Sequence, residues 1–410
     1  MVVNLYPFAE TIAKADCTYD DAVENIDIGG PAMLRAGAKN HQRVAVISDP
    51  GDYQEVLREL AAQSGQLSLQ TRKQLAAKVY AHTAHYDAQI TNYLTQQQAD
   101  TENDIIINAY RKKQTLRYGE NPHQSAAVYS LLDYQETGVA NAHLIQGKAL
   151  SYNNLADADA AVAAVYEYDE LACVIVKHAN PCGIAEDGTL LDAYNRAYAC
   201  DPTSAFGGII AFNRPLDAQT AAKILKQQFV EVIIAPVVSS DALPILAEKS
   251  NIRVLALGEG YQPPRNIQLL HRISGGLLMQ SADELLFGDE DFQVVTEREP
   301  SPQELHDLLF AWKAVKHVKS NAIVFAKDKM TLGIGCGQTS RVHSTMIAGI
   351  KAKEQQLELD GSVVASDAFF PFRDGLDSAV KYGATAVIQP GGSMRDDEVI
   401  AAANEQNIAM

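Results

Sequence analysis

The sequence predicts an α/β protein whose larger part is built from two similar halves. Beyond about residue 106, apolar strand-length runs alternate with amphipathic helical stretches, as α/β layers require. Ser301, Pro302 and Glu304 then form a capping-box helix start. After that start the same alternation runs a second time.

Taken in order, Val2 to Phe8 reads as a buried strand beginning directly after Met1. Tyr19 to Asn40 is helical but broken at Gly29, Gly30 and Pro31, so a helix should restart near Pro31. Arg43 to Ser48 reads as a short strand and Asp52 to Ala62 as an amphipathic helix. A longer helix runs from Gln70 to about Leu94, with Leu75, Val79, His82 and Tyr86 on one face. The polar run Gln96 to Asp104 marks a domain boundary. Leu171 to Val176, Gly208 to Phe212 and Val232 to Ala235 read as strands; Ala156 to Tyr168, Leu190 to Ala199 and Ala218 to Lys226 read as helices. After Ser301, Leu305, Leu308, Leu309 and Trp312 recur at helical spacing. Ala322 to Ala326, Leu332 to Ile334, Val363 to Ala365 and Ala384 to Ile388 follow as strands, and Asn407 to Met410 reads as the start of another. Chain ends are usually polar and loose, so two apolar ends lead to the expectation that sequence is missing at both.

Composition excludes several classes of function. Acidic residues outnumber Lys plus Arg by 51 to 34 over 410 residues, a net charge of −17. A field of that sign repels nucleic acid, and an anionic small substrate needs local cations to hold it. Hydrophobic content of 47% and charged content of 21% are ordinary globular usage, which excludes wholesale disorder. Cys17, Cys173, Cys182, Cys200 and Cys336 are scattered and form no CxxC, a poor disulfide framework that points to a reducing compartment. Apolar runs such as Val230 to Val238 are short and interrupted by Glu231, well below the roughly 20 residues of a membrane span. No signal peptide is visible. A soluble cytoplasmic protein is expected.

Chemistry concentrates in four segments. The apolar run Leu171 to Val176 leads into Lys177, His178, Ala179, Asn180, Pro181, Cys182 and Gly183. At the end of a buried parallel strand, His178 would be placed as a general base, with Lys177 disfavouring a second positive charge beside it. A solvated Lys and a hydrogen-bonded His at a turn fit the same pattern. A zinc-deaminase reading fails on ligand count, because Asn180 stands where Glu is needed and Ala185 where a second Cys is needed. Gly333, Gly335 and Gly337 miss the dinucleotide spacing but allow close backbone approach to a phosphate, with Arg341 nearby; a plain strand-to-helix turn fits equally. Ser366 to Asp374 gathers three phenylalanines in a loop, where Phe369 or Phe372 could stack on a flat heterocycle or pack against protein. Arg117 in the polar stretch Arg117 to Gln124 suits a carboxylate or phosphate, or ties down an extended arm.

Together, Leu116 to Gln124, Lys148 to Asn154, the Lys177–His178 segment, Asp201 to Asn213, Phe229 to Pro236, Lys319 to Val324, Gly333 to His343 and Ser366 to Asp374 closely resemble one family. It is the bifunctional purine-biosynthesis family that joins aminoimidazolecarboxamide ribonucleotide (AICAR) formyltransferase to IMP cyclohydrolase. The resemblance implies a formyltransferase region of two cytidine-deaminase-like α/β halves without zinc, at residues 106–296 and 300–410. Residues 1–100 would be the remnant of an α/β cyclohydrolase domain. It further implies transfer of a formyl group from 10-formyltetrahydrofolate, as co-substrate, to the 5-amino group of AICAR. By the same resemblance Lys177, His178 and Asn321 are catalytic, and Arg117, Tyr118, Gly207, Glu231, Arg341, Phe369 and Asp374 contact substrate. A bound potassium ion and a homodimer with shared active sites also belong to it.

Tyr6, Asp27 and Lys39 match cyclohydrolase positions, but the family's preceding region, with another catalytic lysine and the phosphate loops, does not appear in this sequence. Neither does its final basic and aromatic segment. Incomplete cyclohydrolase activity is therefore expected. The competing reading is a catalytically inactive nucleotide-binding or assembly module.

Overall fold

The computed structural model describes residues 1–96, 105–132, 137–284 and 292–410. Of the polar run Gln96 to Asp104 read as a boundary, residues 97–104 lie outside the described residues. Two compact units emerge, Met1–Lys112 with Tyr129–Gln135, and Lys113–Val128 with Glu136–Met410.

The first unit holds α1 (Phe8–Ile12), α2 (Tyr19–Glu24), α3 (Gly29–Lys39), α4 (Tyr53–Ala62) and α5 (Leu69–Gln96). Leu34 and Ala38 of α3 bury against Val46 and against Ala76 and Val79 of α5. Helix α3 begins at Gly29, before Pro31, because Asp27 Oδ1 accepts the Gly30 N–H at 2.7 Å. The expected strand Val2 to Phe8 is absent. Only Val2 bridges Ile47; Pro7 has no N–H to offer a ladder, and Phe8 already opens α1. Arg43 to Ser48 is likewise reduced to that one bridge.

Strands β1 (Tyr110–Leu116) and β2 (Ala126–Leu131) form a hairpin. In the second unit, β3 (His143–Gln146), α6 (Tyr152–Val165), β4 (Ala172–Lys177), β5 (Asn180–Glu186), α7 (Leu190–Cys200), α8 (Pro202–Ala205), β6 (Gly208–Phe212), α9 (Ala218–Gln227), β7 (Val230–Ala235), α10 (Ala242–Ala247) and β8 (Arg253–Ala256) make the first half. A separate hairpin of β9 (Gln268–Ile273) and β10 (Gly276–Ser281) follows. The second half comprises α11 (Pro302–Lys316), β11 (Ile323–Lys327), β12 (Met330–Gly335), α12 (Arg341–Glu354), β13 (Ser362–Ser366), α13 (Arg373–Lys381), β14 (Ala384–Ile388) and α14 (Asp396–Glu405). Asn407 to Met410 adds one bridge, Ala409 to Ala386, and no strand.

One ten-stranded sheet spans both halves in the order β14-β13-β11-β12-β5-β4-β6-β7-β8-β3. Outward from the central β12–β5 pair each half repeats one pattern: a hairpin, an antiparallel neighbour, then a parallel one. Sequence repeats with it. Ser151 and Ser301 close equivalent capping boxes on α6 and α11. Alternate residues of β4 face opposite layers: Cys173 and Ile175 pack with α7, α9 and α12, while Ala172, Val174 and Val176 pack with α6 and α11.

The expectation that Leu171 to Val176 forms a parallel strand is corrected. β4 is antiparallel to β5 and to β6, because His178 and Ala179 turn the chain straight back at φ 53° and 57°. Two left-handed turn residues match the twist of a tight hairpin. No helix among the described residues is long and apolar enough to cross a membrane.

Gly183 and Gly333 let α7 and α12 lie close on the two central strands. A Cβ on Gly183 would stand 1.9 Å from the Ala197 carbonyl oxygen, and one on Gly333 2.4 Å from that of Ala348. Gly183→Ala is expected to lower stability by about 3 kcal/mol through forced helix displacement. Gly188→Ala, with nothing within 4 Å, should leave the urea midpoint nearly unchanged. Equal midpoints for the two variants would contradict this packing account.

Candidate active site

The first half contributes the β4–β5 turn. Asp157 on α6 accepts the His178 N–H on Oδ2 at 3.2 Å and the Ala179 N–H on Oδ1 at 2.8 Å. Left-handed conformations cost a non-glycine residue roughly 1–3 kcal/mol each, and these bonds offset part of that cost. Lys177 Nζ donates to the Phe206 carbonyl at 2.8 Å. The next residue, Gly207, has φ 73° and donates its N–H to the Phe229 carbonyl at 2.8 Å. Glu231, one step into β7, accepts from Arg253 at 2.6 Å. Lys177, Gly207 and Glu231 thus gather where β4 ends and β6 and β7 begin.

The second half contributes a cavity of about 320 Å³ lined by Asn321, Ser340, Arg341, Phe372 and Asp374, among others. Asn321 donates both its backbone N–H and Nδ2 to the Gln338 carbonyl, at 3.1 and 2.9 Å. That leaves its amide oxygen to accept from a ligand. Asp367 Oδ1 accepts from the Ala322 N–H at 2.9 Å and from Arg341 Nη2 at 2.7 Å. Burial alone would raise the Asp367 carboxyl, but hydrogen bonds from Ser320, Ala322 and Arg341 outweigh it and hold it below its ordinary 3.8. Arg341 also donates to the Phe369 carbonyl at 3.1 Å, while its buried Nε has no partner among the described residues. The three loop phenylalanines separate: Phe370 is core, whereas Phe369 and Phe372 are exposed, the latter under the Arg395 guanidinium at 4.8 Å.

Asn180 joins the two groups. Its Oδ1 accepts from the Lys319 N–H at 3.0 Å and its Nδ2 donates to the His178 carbonyl at 3.0 Å. The His178 turn is therefore tied to the segment that leads into Asn321. His178 itself is exposed and is not among the residues that line the cavity. Arg117 donates to the Tyr118 hydroxyl at 2.8 Å and stacks over its ring, and neither lines the cavity. Their loop is held to α6 by Asn153 donating to the Glu120 carbonyl at 3.4 Å.

Cys182, next to this turn, is buried, and that burial pushes its thiol up to about 12. It stays protonated and is a poor nucleophile or ligand.

In the first unit, Asp27 Oδ2 accepts the Tyr6 N–H at 3.2 Å, so these two meet. Lys39 does not join them. It ends the eleven-residue α3 that Asp27 precedes, a separation of roughly 16 Å along the axis.

Sequence reasoning missed Asp157, Asn180 and Asp367. A signal for the first existed: Asp157 and Asp307 occupy matching places in the two halves, each within a helix that starts at a serine-capped box.

A family model described as AICARFT/IMPCHase bienzyme matches residues 37–351, more than half of the chain. The chain belongs to that family, which gives it a role in purine biosynthesis, in formyl transfer or cyclohydrolysis.

Asp367 has a lowered carboxyl, so its contribution to stability is complete above the ordinary 3.8 and disappears as pH falls below that through the folded-state value. Asp367→Asn leaves Arg341, whose side chain is 9% exposed, without its ionic partner. A loss of roughly 3 kcal/mol is expected at neutral pH. In urea denaturation the gap from wild type should narrow below pH 3.8; a gap independent of pH contradicts the pairing.

Proposed function

We propose that this member of the AICARFT/IMPCHase bienzyme family transfers the formyl group of 10-formyltetrahydrofolate to the 5-amino group of AICAR. The observation that supports it most is the Asn180 link, which ties the His178 turn of one half to the segment of the other half that leads into Asn321.

The residue types suit the reaction. An amine conjugated through an imidazole to a carboxamide is a weak nucleophile, so a base that removes its proton during attack accelerates the step. His178 takes that proton as the amine nitrogen bonds to the formyl carbon. The formyl oxygen gains negative charge in the tetrahedral intermediate, and the Lys177 ammonium stabilises it. Collapse re-forms the carbonyl and breaks the bond to the folate nitrogen. That nitrogen receives the proton back from the His178 imidazolium, leaving the imidazole neutral. Asn321, through its amide oxygen, orients the amine.

Arg341 and Arg117 supply the local cations that an anionic nucleotide needs against a net charge of −17. Phe369 offers a ring face for the heterocycle, and Gly207, Glu231, Tyr118 and Asp374 shape the remaining contacts. Phe206, whose carbonyl accepts from Lys177, and Phe229 are exposed, with ring centroids 5.4 Å apart. In this reading the working form is a homodimer in the cytoplasm. Ring closure to IMP is not assigned to one copy, because Lys39 stands a helix length from Asp27.

His178→Ala should lower formyl transfer by roughly 100-fold while nucleotide binding is kept. Arg341→Ala should weaken nucleotide affinity by about tenfold or more. Unchanged turnover in the first variant removes His178 from the reaction. Nucleotide binding without product in the wild-type chain would favour the inactive binding module instead.

A further inference from the structure

We propose that Asp157 is a positioning residue for this reaction, setting the direction in which the His178 imidazole leaves the sheet. The inference rests on His178 being the reacting base. It goes further in assigning that geometry to a carboxylate on a different element, α6.

The turn has only two residues, His178 and Ala179, both left-handed and neither a glycine. Their N–H groups converge on one carboxylate, each oxygen taking one of them. Asp157 therefore fixes both backbone angles of the residue that carries the imidazole, while Asn180 holds the carbonyl of that same residue at 3.0 Å.

The second half provides an internal control. Asp328 and Lys329 turn the β11–β12 hairpin at φ 52° and 57°, and Asp307 on α11 accepts both of their N–H groups at 2.9 Å. That turn lies at the other end of the sheet, where Lys329 O accepts from the N–H of Glu186, the last residue of β5. Asn180 is the first residue of β5 and lies at the site end. Among the described residues the same device thus occurs twice, and the copy at the Asn180 end is the one that carries a histidine. Were Asp157 merely a fold element, its loss and that of the more deeply buried Asp307 would act alike.

An asparagine keeps the size of the side chain but only one acceptor oxygen, so its NH2 group meets the second amide donor head-on. Asp157→Asn, Asp307→Asn and Ser151→Ala are made in the full chain. Ser151→Ala removes the cap of α6 without touching the turn. Formyl-transfer kinetics are measured below the thermal transition. The imidazole signals of His178 are followed by NMR with 15N-histidine labelling, assigned with His178→Gln.

D157N should lower kcat about tenfold or more while KM for the nucleotide changes by less than about twofold, and it should displace the His178 signals. D307N and S151A should lower the melting temperature but leave kcat and those signals as in wild type. Loss of kcat in D157N no greater than in D307N, with the His178 signals unmoved, overturns the proposal. If D307N does not fold, S151A alone is the control. A wild-type chain without formyl transfer would sink the proposed reaction, and the NMR comparison would then decide the role of Asp157: displaced signals uphold it, unmoved signals overturn it.

Discussion

The antiparallel pairing of β5 with β12 is the constraint from which the rest of the second unit follows. Thr331 Oγ1 accepts the Ile184 N–H at 2.9 Å and donates to the Ile184 carbonyl at 3.2 Å, and Met330 lies opposite Ala185. Joining two similar halves through antiparallel central strands sends their hairpin turns to opposite ends of the sheet. It also brings the first half's turn next to the second half's Lys319–Asn321 segment. The Asn180–Lys319 bond between the halves is a consequence of that one junction. On the helical layer the same junction is reinforced by Lys351 of α12, paired at 2.9 Å with Asp201 between α7 and α8. Asp201 is nearly buried, and burial alone would raise its carboxyl. Bonds from Ser204 and Lys351 outweigh that and hold it below its ordinary value.

Electrostatics at the cavity follow from local pairing, not from the molecule as a whole. An acidic surface repels an anion at a distance, so binding depends on cations held in place where the surface is interrupted. Arg341 is held by Asp367 and by a backbone carbonyl, which fixes its guanidinium before any ligand arrives. Pre-organisation of this kind lowers the ordering cost of binding. The aromatic loop splits its labour: Phe370 anchors the loop in the core, leaving Phe369 and Phe372 outside.

Much of the fold was legible because strand length, apolar runs and helix caps are local signals. The Ser301 capping box, the α9 and β14 spans and the alternation of the two halves all fall where the sequence places them. Strand direction was not legible for β4. A strand buried on both faces shows no alternation that separates parallel from antiparallel neighbours, and the turn His178–Ala179 lacks the Asn-Gly signature of a two-residue hairpin. The terminal segments failed for a different reason: apolar residues there satisfy one bridge and a helix start, which a window of hydrophobicity reads as a strand. At the site, His178 and Arg341 stood out as residue types in context, whereas Asn321 came only from the family resemblance. Asp157 and Asn180 did not, because their importance lies in backbone groups they hold, and backbone partners leave no mark on a single sequence beyond the match of Asp157 with Asp307.

The central claim is geometric: one imidazole and one side-chain amide, from different halves, face the same reacting nitrogen. A crystal structure of the chain with AICAR bound tests it most directly. The account places the 5-amino nitrogen about 3 Å from both the His178 ring and the Asn321 amide oxygen, hydrogen-bonding distance for proton transfer. A nucleotide bound with that nitrogen turned away from His178, or seated outside the cavity of Asn321 and Arg341, would contradict it.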